Sequence, residues 1–393
     1  MVKGIFLHDL PIYKDINGAY GCTTLTNDVF KRYFDVVDEL VVATRVYILS
    51  STCEEAHQER ITLPNIRFID IPNLNKPQYL FTRIPKAKKI IENEMLNCDL
   101  VFIRGGVIAL LGAKVARKLG KKHLVECGGC AWDDYWNHSL AGKIIAPYME
   151  YNAKKTMRNA SYVVYVTESY LQNHYPTNGI SENVSDAVIT NIDEQIIEVR
   201  KNRFNNVKNG NATWVIGTAG AVNYKLKGQR FIIEAIAKLK DEYDIRYEMA
   251  GAGDQDYLKS IASQFGVEDR VVFKGELSHV EVLEWLDSID TYVQPSMQEG
   301  LPRALVEAMS RGCPCMGSTV GGIPELLEKD TLFEKGKVDE LVKTMMLFFE
   351  SDWINHSRYN QNKASGFLEC NLFEKRRKIF EKYRNDVLEE KNE

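Results

Sequence analysis

Two carboxylates, Glu299 and Glu307, stand eight positions apart in the run from Gln298 to Gly322, QEGLPRALVEAMSRGCPCMGSTVGG. The residues around them predict a loop-to-helix junction. Thr291 to Pro295 (TYVQP) reads as a short buried strand, and Pro302 suits the first turn of a helix, where its missing N–H costs nothing. Leu301, Leu305, Ala308 and Met309 recur at helical spacing as a buried stripe, and Gly312 supplies a left-handed stop. Glu299 therefore belongs to the loop, and Glu307 lies about 7 Å along the helix.

A helix start presents unpaired N–H groups and a partial positive charge, so Gly300, Leu301 and Pro302 bring backbone and dipole to an anionic ligand. Carboxylates this far apart are poorly placed to share a proton. They suit hydroxyls at opposite ends of one long molecule, and a nucleotide sugar, with hexose, diphosphate and ribose in series, has that layout. Alone, such a pair would be an ordinary loop acid and a solvated helix residue.

More of the chain bears on the choice. In order come NGAYG (Asn17 to Gly21), GAVNYKLKG (Gly220 to Gly228), AGAGD (Ala250 to Asp254), FKGELSHVEV (Phe273 to Val282), EGLPRALVEA and GGIPELL (Gly321 to Leu327). Through the C-terminal half, their order and spacing resemble the retaining glycosyltransferases of family 4, of the bacterial surface-polysaccharide type. The N-terminal half matches in pattern only.

The resemblance implies the α/β GT-B architecture, two Rossmann-like doubly wound domains facing across a cleft. It implies transfer of a hexose-type sugar from a nucleotide-diphosphate donor to a saccharide hydroxyl, with retained configuration and with neither metal nor cofactor. Glu299 would bind the transferred sugar and stabilise its developing charge. Glu307 would hold the ribose, and Lys227 with the backbone around Gly220 and Gly300 to Pro302 would hold the diphosphate. Gly18 would lie in a loop over the donor phosphates, between the first strand and a helical run from Thr23. The chain departs from the family at Ala221, where an arginine usually provides a second phosphate ligand; Lys225 is a candidate substitute. That departure keeps a silent nucleotide-sugar-binding subunit as one alternative, beside a nucleotide-sugar 2-epimerase of the same fold.

Hydrophobic alternation extends the scheme to both halves. Residues 2–7, 40–44, 47–50, 67–71, 99–103, 122–126 and 162–166 are apolar strand candidates separated by helical stretches. VIGTAGA, RYEMAGAG, RVVFKG, TYVQPS and PCMGST repeat the pattern, each ending in small residues where open α/β sheets bind ligands. The reading is an N-terminal acceptor domain over 1–198, a linker over 199–212 rich in Asn, Lys and Arg, a donor domain over 213–366, and a helix over 367–393 returning to the first domain. Polar groups at N-terminal strand ends, His8, Asp9, Arg104 and Glu126, together with His138, are acceptor-side candidates.

The 393 residues suffice for two cores, and a net charge of -4 argues against nucleic-acid binding. No apolar run is long enough for a signal peptide or membrane span, which points to the cytoplasm and reduced cysteines. Cys127-Gly-Gly-Cys130 has a metal-site gap, but Cys313 and Cys315 do not complete it, so a Gly-containing turn is the expectation. Between Asn73 and Ala160, 15 Lys/Arg face 7 Asp/Glu, and Tyr79 to Ile91 interleaves Leu80, Phe81 and Ile84 with Arg83, Lys86, Lys88 and Lys89. Such a helix suits an anionic leaflet at the inner face of the plasma membrane, and a lipid-linked saccharide acceptor.

Overall fold

A computed structural model describes residues 1–74, 77–193 and 195–392, without the side chains of 77, 78, 80, 81 and 392. Contacts divide it into two units. The first comprises 1–166, 171–184 and 373–393, and the second 167–170 and 185–372.

The first unit carries strands β1 (Lys3–His8), β2 (Ile12–Lys14), β3 (Tyr20–Gly21), β4 (Glu39–Thr44), β5 (Val46–Ile48), β6 (Ile66–Asp70), β7 (Leu100–Arg104), β8 (Leu124–Cys127), β9 (Tyr162–Tyr165) and β10 (Ile180–Asn183). Seven of them form a parallel sheet in the order β10-β9-β8-β7-β1-β4-β6. Its central strands are apolar almost end to end, as a sheet covered on both faces requires: Ile5, Phe6 and Leu7 of β1 are fully buried. Helices α1 (Asn27–Lys31), α2 (Pro77–Leu96), α3 (Gly106–Lys118), α4 (Ala131–Trp136), α5 (Leu140–Arg158) and α6 (Tyr170–His174) intervene.

The remaining three strands make a small sheet, β3-β2-β5. Here the reading of the N-terminal glycine loop needs correcting. Gly18 lies in the tip of the β2–β3 hairpin, where the Asp15 carboxylate accepts from the backbone N–H groups of Asn17 and Ala19 at 2.9 and 2.8 Å. The following helix starts at Asn27, not Thr23.

In the second unit, α7 (Ile196–Lys208) precedes β11 (Trp214–Ala219), α8 (Gln229–Leu239), β12 (Ile245–Ala250), α9 (Asp256–Phe265), β13 (Val271–Gly275), α10 (His279–Ser288), β14 (Thr291–Gln294), α11 (Arg303–Ser310), β15 (Cys315–Ser318), α12 (Ile323–Leu326), β16 (Leu332–Phe333), α13 (Val338–Glu350) and α14 (Trp353–Ala364). The six strands pair in parallel as β13-β12-β11-β14-β15-β16, so the order reverses direction between β11 and β14. The expected linker is the helix α7. Its buried positions are Ile196, Ile197, Arg200, Phe204 and Val207, and Arg200 belongs there because its guanidinium donates to the carbonyls of Leu286, Ile289 and Arg311. The division falls between Val184 and Ser185 rather than at residue 198.

The last helix, α15 (Glu369–Asn392), packs on the first unit's sheet: Phe380 lies 5.8 Å from the Tyr33 ring and 5.5 Å from Phe102, and Tyr383 is fully buried. Both units are thus parallel α/β sheets layered with helices.

Candidate active site

The carboxylate pair sits where the second sheet reverses strand order. β14 ends at Gln294, the loop from Pro295 to Pro302 follows, and α11 begins at Arg303, one residue later than expected because Pro302 is its N-cap. Helix α11 ends at Ser310 with Arg311 as its C-cap, and Gly312, at φ +60, is the left-handed stop. Leu305, Ala308 and Met309 are fully buried, which fixes the helix axis and the position of Glu307 on it.

One oxygen of Glu299 is held by three donors. Lys227 Nζ lies at 2.7 Å, Ser296 Oγ at 2.8 Å and Gln294 Nε2 at 3.2 Å, all on Oε1. Gln294 and Ser296 are buried and fixed in turn: Tyr292 donates its hydroxyl to Gln294 Oε1 at 2.8 Å, and Gln294 Nε2 also meets Ser296 Oγ at 2.8 Å. Tyr292, Gln294 and Ser296 alternate along the end of one strand, which places all three on one side. Burial holds the Tyr292 phenol far above its ordinary range, so it stays a donor.

Lys227 reaches Glu299 through a tight approach of backbone. Gly228 has φ +75, and a Cβ there would lie 2.0 Å from the Pro295 carbonyl oxygen. Only glycine allows it. The lysine stem then runs 3.4 Å from the position a Cβ would take on Gly220. A second close approach joins the GGIP turn to the loop: a Cβ on Gly321, at φ +57, would lie 2.1 Å from the Glu299 carbonyl oxygen, and Gly322 N donates to Gly300 O at 2.7 Å. Glu299, Gly300 and Lys227 are therefore positioned by β14, α8 and α12 together. Glu307 stands apart from this network, with His279 Nδ1 3.9 Å from its Oε1. Lys225 does not share the lysine's place; its ammonium lies 4.2 Å from the Tyr257 ring centroid.

The N-terminal candidates divide. His8, Arg104 and Glu126 form one row across β1, β7 and β8, since His8 pairs in register with Arg104 and Arg104 with Glu126. They are not independent outward-facing groups. Glu126 is buried and takes Arg32 at 2.8 Å, Arg104 at 3.2 Å and the Tyr33 hydroxyl. Burial, then Arg104, pushes the His8 imidazole down to about 4, and burial pushes the Asp9 carboxyl up to about 6. Asp9 Oδ2 accepts from Ile108 N at 2.9 Å in the first turn of α3. His138 is exposed beyond α4.

Cys130 is the N-cap of α4, and its thiol meets a cluster the sequence did not suggest. Its Sγ lies 3.7 Å from His174 Nε2, which is 2.7 Å from Glu150 Oε1, and Tyr175 donates to Glu150 Oε2 at 2.6 Å. Lys154 Nζ occupies the same Glu150 oxygen at 3.0 Å, so an ammonium already sits where a shared cation would bind. Another unforeseen contact is Glu325 in GGIPELL. Its carboxylate accepts from Glu168 N at 2.7 Å, from Ser169 N and Oγ at 2.9 Å each, and from Tyr170 N, fixing 168–170 to the second unit.

Residues 199–365 match the family model described as glycosyl transferases group 1. Protein CapJ of Staphylococcus aureus is 31% identical over 394 residues, covering 98% of this chain and 96% of that one. The chain belongs to the group 1 glycosyltransferases. The 2-deoxystreptamine glucosyltransferase of Streptomyces kanamyceticus is 28% identical over 73% of this chain and 77% of its own. Among solved structures, a sucrose-phosphate synthase from Thermosynechococcus elongatus superposes with a TM-score of 0.69 at 14% identity, covering 97% and 99% of the two chains. The Anabaena protein HepE, solved with UDP-glucose, gives 0.58 at 17% identity over the full length of both. These likenesses establish the GT-B fold of two Rossmann-like parallel sheets.

Proposed function

We propose that this group 1 glycosyltransferase is a retaining enzyme that moves a hexose-type sugar from a nucleotide-diphosphate donor to a saccharide hydroxyl in surface-polysaccharide synthesis. The observation that carries the reading is the Glu299–Lys227 pair at the head of α11, with Glu299 fixed through one oxygen by Ser296 and Gln294. Fixing Oε1 leaves Oε2 to meet a sugar hydroxyl. As the anomeric carbon–oxygen bond breaks, positive charge grows on the sugar and negative charge on the diphosphate. Glu299 answers the first; Lys227, the first-turn N–H groups of α11 and the Gly220 turn answer the second. The acceptor oxygen then bonds to the anomeric carbon on the face the diphosphate leaves, and its proton passes to that phosphate oxygen, so neither a side-chain base nor a metal is required.

Glu307 holds the ribose in this scheme. A similar protein supports the donor class: HepE was solved with UDP, with UDP and glucose, and with UDP-glucose. A putative colanic acid biosynthesis glycosyltransferase of Escherichia coli, 37% identical over 26% of this chain, supports the polysaccharide context. The basic segment from Asn73 to Ala160 supports a lipid-linked acceptor met at the inner face of the plasma membrane.

Incubation with a panel of nucleotide sugars, without acceptor, tests the proposal. Slow release of free sugar from one donor, with the anomeric configuration retained at first formation by NMR, is expected. Tight binding with no release would favour the silent subunit suggested by Ala221, and a 2-epimeric sugar product would favour the epimerase.

A further inference from the structure

Helices α2, α3 and α5 lie on one face of the first sheet. Each connects strands that step the same way, β6 to β7, β7 to β8 and β8 to β9, and right-handed crossovers put all three on the same side. Side chains join the layer. Lys118 of α3 lies 2.5 Å from Glu92 of α2, and the Lys114 ammonium of α3 lies 5.7 Å from the Tyr148 ring centroid on α5.

The outer face of α5 is unusual. Leu140 is 80% exposed, Ile144 84%, Tyr148 58% and Tyr151 64%, at positions i, i+4, i+8 and i+11 of one helix. They form a single stripe. Further along the same face the stripe turns basic, with exposed Lys154, Lys155 and Arg158, and Lys143 flanks its start. The one acid of α5, Glu150, is buried in the cluster with His174 and Tyr175.

We propose that this face docks the first unit on an anionic bilayer. Leu140 and Ile144 enter the boundary between headgroups and acyl chains, the two tyrosines lie at headgroup depth, and Lys143, Lys155 and Arg158 meet lipid phosphates. Lys114 of α3 and the exposed Lys86 and Lys89 of α2 extend the cationic surface. Charge selects anionic lipid over a second copy, because the same face on a second copy offers these cations no exposed acid of α5 to pair with. The anchor is thus on α5. The basic run of α2 is an outlying part of the same surface, and its apolar partners Leu80 and Phe81 have side chains outside the described residues. The proposal deepens the lipid-linked reading of the acceptor and rests on it for its purpose, yet binding is measurable without any acceptor.

Co-sedimentation with vesicles of phosphatidylcholine and phosphatidylglycerol tests it. Wild type should partition onto them at low salt and far less onto phosphatidylcholine alone. L140S/I144S should lower partitioning by at least about tenfold, since two aliphatic side chains no longer leave water. K143Q/K155Q/R158Q should make binding weak and insensitive to salt. These are exposed positions, so fold and donor hydrolysis should survive every change. Wild-type partitioning by L140S/I144S, or indifference of wild type to the anionic vesicles, overturns the proposal. Conversion of a dimer to a monomer by L140S/I144S, with vesicle binding unchanged, would also overturn it and assign the stripe to a second copy. Loss of donor turnover in wild type with vesicle binding intact would sink the transfer chemistry alone.

Discussion

At the scale of single residues, Glu299 and Glu307 share a charge and differ in surroundings. Glu299 has one oxygen committed to three donors, whereas the Glu307 carboxylate has a solvent-exposed histidine at 3.9 Å. An interaction that strengthens as the bond breaks lowers kcat when lost, and one equal in ground and transition states raises KM. Glu299→Gln should therefore reduce kcat by at least about a hundredfold, while Glu307→Gln should raise donor KM with kcat near wild type. Steady-state donor hydrolysis separates the two, and near-wild-type turnover by Glu299→Gln would remove its role. Lys227→Ala should cost at least ~2 kcal/mol in kcat/KM, more than a surface lysine is worth. Lys225, over Tyr257, is not placed to compensate. Unchanged kinetics in Lys227→Ala would put the phosphates elsewhere.

Among elements, β14 does more than frame a loop. Its continuation presents Tyr292, Gln294 and Ser296 in alternation, and the last two hold Glu299. Ser296→Ala removes one small donor from a buried site without changing the backbone. It should lower kcat about tenfold, a loss of about 1.4 kcal/mol of transition-state stabilisation, and leave donor KM and the thermal midpoint little changed. A Ser296→Ala protein with wild-type kcat would show that Lys227 and Gln294 suffice to hold Glu299. Gly228→Ala should be harsher, because its Cβ would meet the Pro295 carbonyl and its backbone lies in the left-handed region. Donor-induced thermal stabilisation should be lost in that variant. The sequence showed the strand, the glycines, the lysine and both acids through spacing. It hid Gln294 and Ser296, since a buried strand of mixed composition carries no mark of which polar side chains meet. Helix α7 was hidden for a related reason: Arg200 fills a buried helical position that a purely apolar periodicity cannot count. The β2–β3 hairpin was missed because three-residue and two-residue strands are too short for alternation to register.

For the molecule as a whole, most strands of both sheets were legible because parallel strands covered on two faces are continuous apolar runs, and their ends moved by a residue or two; the edge strands β10 and β16, short and partly exposed, were not. The return of the last helix to the first unit was legible too; the boundary at Val184–Ser185 was not, because α7 joins the second unit through a buried arginine. The same burial gives a pH signature. His123 is 1% exposed, and burial pushes it down to about 4. Between pH 4 and 6.5 the unfolded chain takes up a proton that the folded one refuses, so stability is present above 6.5 and is lost as pH falls toward 4. His8 acts in the same direction, and Asp9, raised to about 6, opposes both. His123→Phe should flatten the slope in this window by on the order of 3 kcal/mol, measured by urea unfolding at stepped pH. An unaltered slope would mean that His123 titrates normally.

The closing helix has a consequence for how the protein is made. Phe380 and Tyr383 insert into a core otherwise built from β1, β7 and their neighbours, near the beginning of the chain. A ribosome delivers those strands first and their covering aromatic residues last. The whole second unit, by contrast, is synthesised in the interval, as residues 185–372. The half that emerges first therefore completes last. It waits with part of its hydrophobic surface uncovered while the second unit becomes able to fold, and in that interval chaperones should bind the nascent chain through the first unit.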